Sequence, residues 1–143
     1  MNVAAILNAK GSAVVTVKPD TSVADVVRLL AEKRIGAVVV SSGGRRAQGI
    51  LSERDIVGSL AARGPLTLEK KAHELMTAHL TTCSPQDQLA DLMAVMTTKR
   101  IRHLPVVEDG LVCGIISIGD VVKWRVEEIE REAEALRAYV AQA

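Results

Sequence analysis

Aromatic residues are almost missing from this chain, which has one Trp, one Tyr and no Phe. Binding of single-stranded nucleic acid by base stacking is thereby excluded, because it needs aromatic platforms. An excess of one charge is missing too: 18 Lys and Arg face 17 Asp and Glu, for a net charge of +1. Nothing in that balance draws the chain to nucleic acid or to a membrane surface. Cysteine is scarce, with Cys83 and Cys113 as the only two. Neither has a CxxC partner or a His at ligand spacing, so two reduced, partly buried thiols are expected rather than a disulfide or a zinc site. No apolar run reaches transmembrane length, and the N-terminus lacks the charged-then-apolar order of a signal peptide. A cytoplasmic location is the expectation.

What is abundant is apolar character. Hydrophobic residues make up 48% of 143, enough to bury a core and to argue against disorder. The length fits one domain or two very small ones.

An internal repeat organises the chain. Val17-Lys18-Pro19-Asp20-Thr21-Ser22-Val23 recurs as Cys83-Ser84-Pro85-Gln86-Asp87-Gln88-Leu89, an offset of 66. At the same offset Val23, Val26, Val27 and Leu30 fall on Leu89, Leu92, Met93 and Met96. Spacings of three, four and seven place each set on one face of an amphipathic helix. Lys33-Arg34-Ile35 matches Lys99-Arg100-Ile101; after one deletion Gly49-Ile50-Leu51-Ser52 matches Gly114-Ile115-Ile116-Ser117, and Asp55 lands on Asp120.

Each copy reads as an extended entry (14–17; 80–83), a helix (22–34; 88–99), an apolar strand (37–40; 104–107), a turn, a second strand (49–51; 114–116) and a second helix (53–62; 118 onward). The strands are continuously apolar, as expected when both faces are covered. Asp109-Gly110 is a hairpin signal, and Gly64-Pro65 marks the linker between copies. Units this small cannot cover their own sheets, so the copies should pack as one module.

This ordered set resembles the cystathionine-β-synthase-type domain, the CBS domain, whose paired form is the Bateman module. The resemblance covers residues 3 to 124 and is carried in each copy by the entry strand, the strand before the hairpin and a Gly-apolar-apolar-Ser-x-x-Asp junction. Gly49-Ile50-Leu51-Ser52-Glu53-Arg54-Asp55 and Gly114-Ile115-Ile116-Ser117-Ile118-Gly119-Asp120 are the two junctions. Ile101-Arg102-His103-Leu104-Pro105-Val106-Val107 follows the family pattern, whereas Ile35-Gly36-Ala37-Val38-Val39 lacks its basic residue and Pro. The first copy is therefore expected to bind a different ligand or to bind more weakly. The implied fold is α/β (α+β): two βαββα-type repeats, 3–64 and 65–124, packed as one pseudo-two-fold module, with an extended C-terminal helix over 125–143.

Ser52-x-x-Asp55 and Ser117-x-x-Asp120 also fit a capping box. A cap does not exclude binding, because a carboxylate at a helix start can also accept from a vicinal diol, and the helix N-terminus favours phosphate. The resemblance implies that both aspartates hold ribose hydroxyls and that each base lies against the entry segment of the opposite copy. It implies an adenosine ligand, AMP or NAD foremost, with ADP and ATP in the same class. For the cleft of repeat 2 the implied residues are Lys10, Gly11, Ser12, Val14, Arg102, His103, Leu104, Pro105, Ile115, Ser117, Asp120 and Lys123. For the cleft of repeat 1 they are Thr77, Ala78, Leu80, Gly36, Ala37, Ile50, Ser52, Arg54 and Asp55. Gly11 suits a close approach of backbone to ligand, and Lys10 either reaches a phosphate or is solvated. Arg125 is a further phosphate candidate. Lys99-Arg100 reads as a solvated helix end complementing the dipole, and His73 and His79 as surface or linker residues.

No nucleophile elbow, Walker-type loop, HExxH or Rossmann fingerprint occurs, and no nucleophile–base–orienter set can be nominated. No catalytic residue, catalytic cofactor or metal is expected. Three functions compete: a nucleotide sensor acting in trans on an enzyme or transporter, a structural or interaction protein with vestigial clefts, and a small nucleotide hydrolase or transferase. Retention of Ser and Asp in both copies favours the first. Val122, Val126, Ile129, Ala133, Leu136 and Val140 form an a/d seam on the last helix, which either joins a homodimer or packs back on its own module.

Overall fold

Three serines begin helices by accepting a backbone N–H three residues on: Ser22 from Asp25 at 3.1 Å, Ser52 from Asp55 at 3.3 Å and Ser117 from Asp120 at 3.2 Å. These caps satisfy N–H groups that a helix start leaves free, and they set where the elements begin. The computed structural model describes residues 1–142, in the order α1 (Val3–Lys10), β1 (Thr16–Val17), α2 (Val23–Lys33), β2 (Ala37–Val40), β3 (Gly49–Ser52), α3 (Glu53–Arg63), a 3-10 turn (Gly64–Glu69), α4 (Ala72–Leu75), α5 (Leu89–Lys99), β4 (His103–Glu108), β5 (Leu111–Ser117) and α6 (Ile118–Ala141). The fold is α/β with two βαββα repeats and a long last helix. α6 runs unbroken from the Ser117 cap, so the C-terminal helix is a continuation of the second repeat's own helix.

In the first repeat β2 is central, parallel to β1 and antiparallel to β3, and all four of its residues are buried. In the second, β4 and β5 pair around a turn in which Asp109 and Gly110 both have positive φ, as an Asp-Gly hairpin requires. The entry strand expected at 80–83 shrinks to one parallel bridge, Cys83 to Val106. Both bonds of that bridge are made by Cys83, its N–H donating to Pro105 O at 3.0 Å and its carbonyl accepting from Val107 N–H at 2.8 Å.

Helices at 3–10 and 72–75 were not expected from the sequence, and they exchange partners. Val3, Ile6 and Leu7 are buried with Leu89, Leu92, Leu104 and Ile116 in the core of the second repeat. Ala72, Leu75 and Met76 pack with Val23, Val26, Val38 and Leu51 in the core of the first. Backbone bonds match this exchange: Val3 N–H and Ala4 N–H donate to Asp87 O and Pro85 O, while Ala72 N–H and His73 N–H donate to Thr21 O and Pro19 O. Each crossing passes over the glycine that opens a Gly-apolar-apolar-Ser junction. A Cβ on Gly114 would stand 2.7 Å from Leu7 Cδ2, and one on Gly49 would stand 2.9 Å from the Thr77 carbonyl oxygen and 2.5 Å from Met76 Sδ.

Both cysteines are free thiols, and burial pushes the Cys83 thiol up to about 12, leaving it protonated and unreactive. No helix among the described residues is long and apolar enough to cross a membrane.

Overpacking costs typically ~1–3 kcal/mol. Gly49→Ala should fall at the upper end, because a backbone oxygen stands in the way, and Gly114→Ala at the lower, because Leu7 can change rotamer. Urea unfolding of the two variants measures the difference, and equal losses would contradict the crossing geometry.

Candidate functional site

Two clefts open between the halves of the molecule. In the first, Ile50, Ser52, Arg54 and Asp55 from the β3–α3 junction face Thr77, His79, Leu80 and Thr81 from the entry of the second repeat. In the second, Ile115, Ser117, Ile118 and Asp120 from the β5–α6 junction face Lys10, Ala13, Val14 and Val15 from the entry of the first. The second is the roomier, about 460 Å³ against about 170 Å³. Gly36, Glu53, Arg102 and His103 line both and form the wall between them.

Both junctions form complete capping boxes. Asp55 Oδ2 accepts from Ser52 N–H at 3.0 Å and from the Ser52 hydroxyl at 3.0 Å. Asp120 Oδ2 accepts from Ser117 N–H at 2.9 Å and from Lys10 Nζ at 2.6 Å. Among the described residues neither Oδ1 accepts a hydrogen bond, so capping leaves each carboxylate with an open oxygen at a helix N-terminus. Burial pushes the Asp120 carboxyl up, but the Lys10 ammonium and the Ser117 N–H and hydroxyl outweigh it and hold the group below its ordinary value. Burial likewise pushes the His103 imidazole down, against the smaller pull of Glu53 and Asp120. His103 is therefore neutral at pH 7 and offers one donor and one acceptor. The set has no nucleophile poised beside a base. Among the described residues no group of three His, Cys, Asp or Glu is placed to hold a metal.

The family model for the CBS domain matches this chain twice, at residues 11–62 and 72–127. The chain belongs to the CBS-domain family. CBS domains are regulatory rather than catalytic modules, and their pair is the Bateman module. A CBS-domain-containing protein from Agrobacterium tumefaciens has a crystal structure similar to this chain at 42% identity and a TM-score of 0.85, over 87% of this chain and 99% of that one. A mitochondrial CBS-domain-containing protein of Arabidopsis thaliana is 35% identical over 85% of this chain, and YhcV of Bacillus subtilis is 30% identical over 76% of it. The chain spans 61% of the length of the Arabidopsis relative.

Most CBS-implied residues come together, and the exceptions have physical causes. The first cleft gathers Gly36, Ile50, Ser52, Arg54, Asp55, Thr77 and Leu80. Ala37 faces the second cleft instead, and Ala78 lines neither. The second cleft gathers Lys10, Val14, Arg102, His103, Ile115, Ser117 and Asp120. Leu104 and Pro105 do not line it: both are buried within β4, Leu104 in the core of the second repeat. Gly11, at φ +99, and Ser12 stay exposed outside it, at the bend where the chain leaves α1. Lys123 is carried away by α6 and lies 5.6 Å over the Trp124 ring, while Arg125 pairs with Glu128 at 2.6 Å.

Sequence reasoning missed Arg34, Arg100, His79 and Glu53. Arg34 and Arg100 end α2 and α5 in the left-handed region, at φ 54 and 55, a conformation costing a non-glycine residue roughly 1–2 kcal/mol. Each turns toward the cleft of the opposite repeat, Arg34 to the second and Arg100 to the first. Arg54 reaches across and donates to Arg100 O at 3.0 Å. A readable signal existed: both helices lack the C-terminal glycine that such a turn favours. His79 lines the first cleft at the position matching Ala13 in the second, contrary to its reading as a linker residue.

Because folding holds the Asp120 carboxyl below its unfolded value, its pair with Lys10 stabilises the protein above the unfolded carboxylate range. That contribution is lost as pH falls through the folded value. With both partners partly exposed it is at most about 1 kcal/mol. Lys10→Met should therefore lower the melting midpoint at pH 7 by up to ~4 °C and by less once Asp120 is protonated, when only the bond to Ile115 O is lost, which melting curves from pH 7 down to pH 2 measure.

Proposed function

We propose that the chain is a regulatory sensor that binds adenosine-containing nucleotides, AMP or NAD foremost, in its two clefts. The observation that carries this reading is the open Oδ1 of Asp55 and of Asp120. Each stands at a helix N-terminus, with basic side chains lining the same cleft and a backbone segment of the other half opposite. A vicinal diol fits the carboxylate, the helix N-terminus and the arginines favour phosphate, and the entry segment supplies backbone to face a base. In support, a CBS domain pair with the same fold, at a TM-score of 0.79 and 22% identity, was solved in complex with 5′-methylthioadenosine and S-adenosyl-L-methionine. The second cleft is the main site. Its volume lies within the range of small-molecule pockets, ≈ 300–1,000 Å³, whereas the first is narrower. The free thiols fit a reducing, cytoplasmic setting, and the sensed signal would pass to an enzyme or transporter in trans.

The module acts as a homodimer in this reading. Val122, Val126, Ile129, Leu136 and Val140 are 47–64% exposed, so the seam along α6 is not covered by its own module. Three heptads are short for a coiled coil alone, and α6 would supplement contacts between modules.

Saturating AMP or NAD at 100 times its dissociation constant should raise stability by ~2.7 kcal/mol, or several °C. Asp120→Ala should remove much of that rise, losing a charge-assisted contact of about 1.5–3 kcal/mol beside a cap of ~1 kcal/mol. Asp55→Ala should remove less. A panel of AMP, ADP, ATP, NAD and S-adenosylmethionine with no thermal shift and no calorimetric heat would end the sensor reading, and turnover of any of them would point to an enzyme instead.

Sedimentation equilibrium at tens of micromolar should give twice the chain mass, and truncation after Arg125 should weaken association. A full-length monomer would refute the dimer, and an undiminished truncated dimer would refute the part of α6 in it.

A further inference from the structure

The two entry segments differ in length. In the exchanged helices, Val3 and Ala72 make the matching backbone bonds and stand 69 residues apart, whereas the cleft residues Ala13 and His79 stand 66 apart. The three surplus residues extend α1 at its C-terminal end, and Lys10 lies in that extension with no counterpart beside Asp55. Its Nζ stands 2.6 Å from Asp120 Oδ2 and 2.9 Å from Ile115 O. In the first cleft the matching carbonyl, Ile50 O, accepts from Thr77 N–H at 2.9 Å instead. Asp55 has no cation partner among the described residues.

Resting on the reading of the clefts as adenosine-ligand sites, we propose that Lys10 makes the second cleft selective for phosphorylated ligands over the bare nucleoside. It would do so by passing from Asp120 to the phosphate as the ribose takes the carboxylate. A nucleoside without phosphate must share Asp120 with the ammonium or leave that ammonium without its partner, and stranding a partly buried charge is unfavourable. A phosphate supplies a new and stronger acceptor, and the flexible four-carbon stem of lysine lets the ammonium follow it. Arg34 and Arg102, which also line this cleft, form no ion pair with Asp120. They add to phosphate affinity without opposing the nucleoside, so the opposition belongs to Lys10.

The test is a titration of the full-length protein with AMP and with adenosine, followed by isoleucine-methyl NMR. Ile115 reports the second cleft and Ile50 the first. In Lys10→Met, AMP affinity at Ile115 should fall about tenfold or more while adenosine affinity holds or rises, with both affinities at Ile50 unchanged. Lys10→Arg should keep most of the wild-type preference. If Lys10→Met weakens both ligands alike at Ile115, or leaves their ratio as it was, Lys10 is not the selector and the clefts remain nucleotide sites. If neither ligand perturbs either isoleucine in the wild type, the cleft reading itself fails and this inference with it.

Discussion

Burial of Val3, Ile6 and Leu7 in the second repeat, answered by Ala72, Leu75 and Met76 in the first, is the contact on which both clefts depend. Each repeat leaves one side of its small sheet uncovered, and the helix that covers it comes from the start of the other repeat. Each of the larger of these side chains, Val, Ile, Leu or Met, stabilises the fold by roughly 1.5–3 kcal/mol when fully buried. The exchange also fixes geometry, because the chain that leaves each helix must run along the β–α junction of the repeat it has just covered. That is why Lys10 meets Asp120 and Thr77 meets Ile50. The two glycines under the crossings, Gly49 and Gly114, let the backbones approach.

Near the line relating the halves, the two copies differ. Gly36 and His103 meet there, and a Cβ on Gly36 would stand 2.7 Å from Glu53 Oε1 and 3.0 Å from His103 Nε2. One wall serves both clefts, and the two copies fill it unequally. The second places Arg102 and His103 there, and the first recedes to Gly36 and Ala37. A side chain at position 36 would have to displace Glu53 and His103, which accords with the missing basic residue of the first copy. Backbone symmetry survives at the same place: Glu53 N–H donates to Gly36 O at 2.9 Å and Ile118 N–H to Arg102 O at 2.8 Å.

Capping engages only one oxygen of each junction carboxylate, and the proposed ligand contact falls to the other. Oδ2 of Asp55 and of Asp120 closes the capping box, which restrains the side chain and leaves Oδ1 without a hydrogen bond among the described residues. An aspartate tied down in this way is oriented before any ligand arrives, and that lowers the entropy lost on binding. The cap is part of the site's construction.

From the residues alone, the repeat was readable in its spacing, its Ser-x-x-Asp junctions and its Asp-Gly hairpin. Those signals are local: three-residue caps, a 3.6-residue helical period and a two-residue turn depend only on neighbours in the chain. They sufficed for the βαββα order, for the family and for the core of each cleft around Ile50, Ser52, Asp55, Ile115, Ser117 and Asp120. The tertiary structure decided what neighbours in sequence cannot specify. The helix at 3–10 covers the distant repeat, left-handed Arg34 and Arg100 turn into the opposite clefts, and α6 carries Lys123 away. Leu104 and Pro105, which share a motif with Arg102 and His103, stay out of the site because β4 buries them. The physical reason is common to all of these. Which face of an element lines a cleft is set by the surface packed against its other face, and here that surface comes from the other half of the chain.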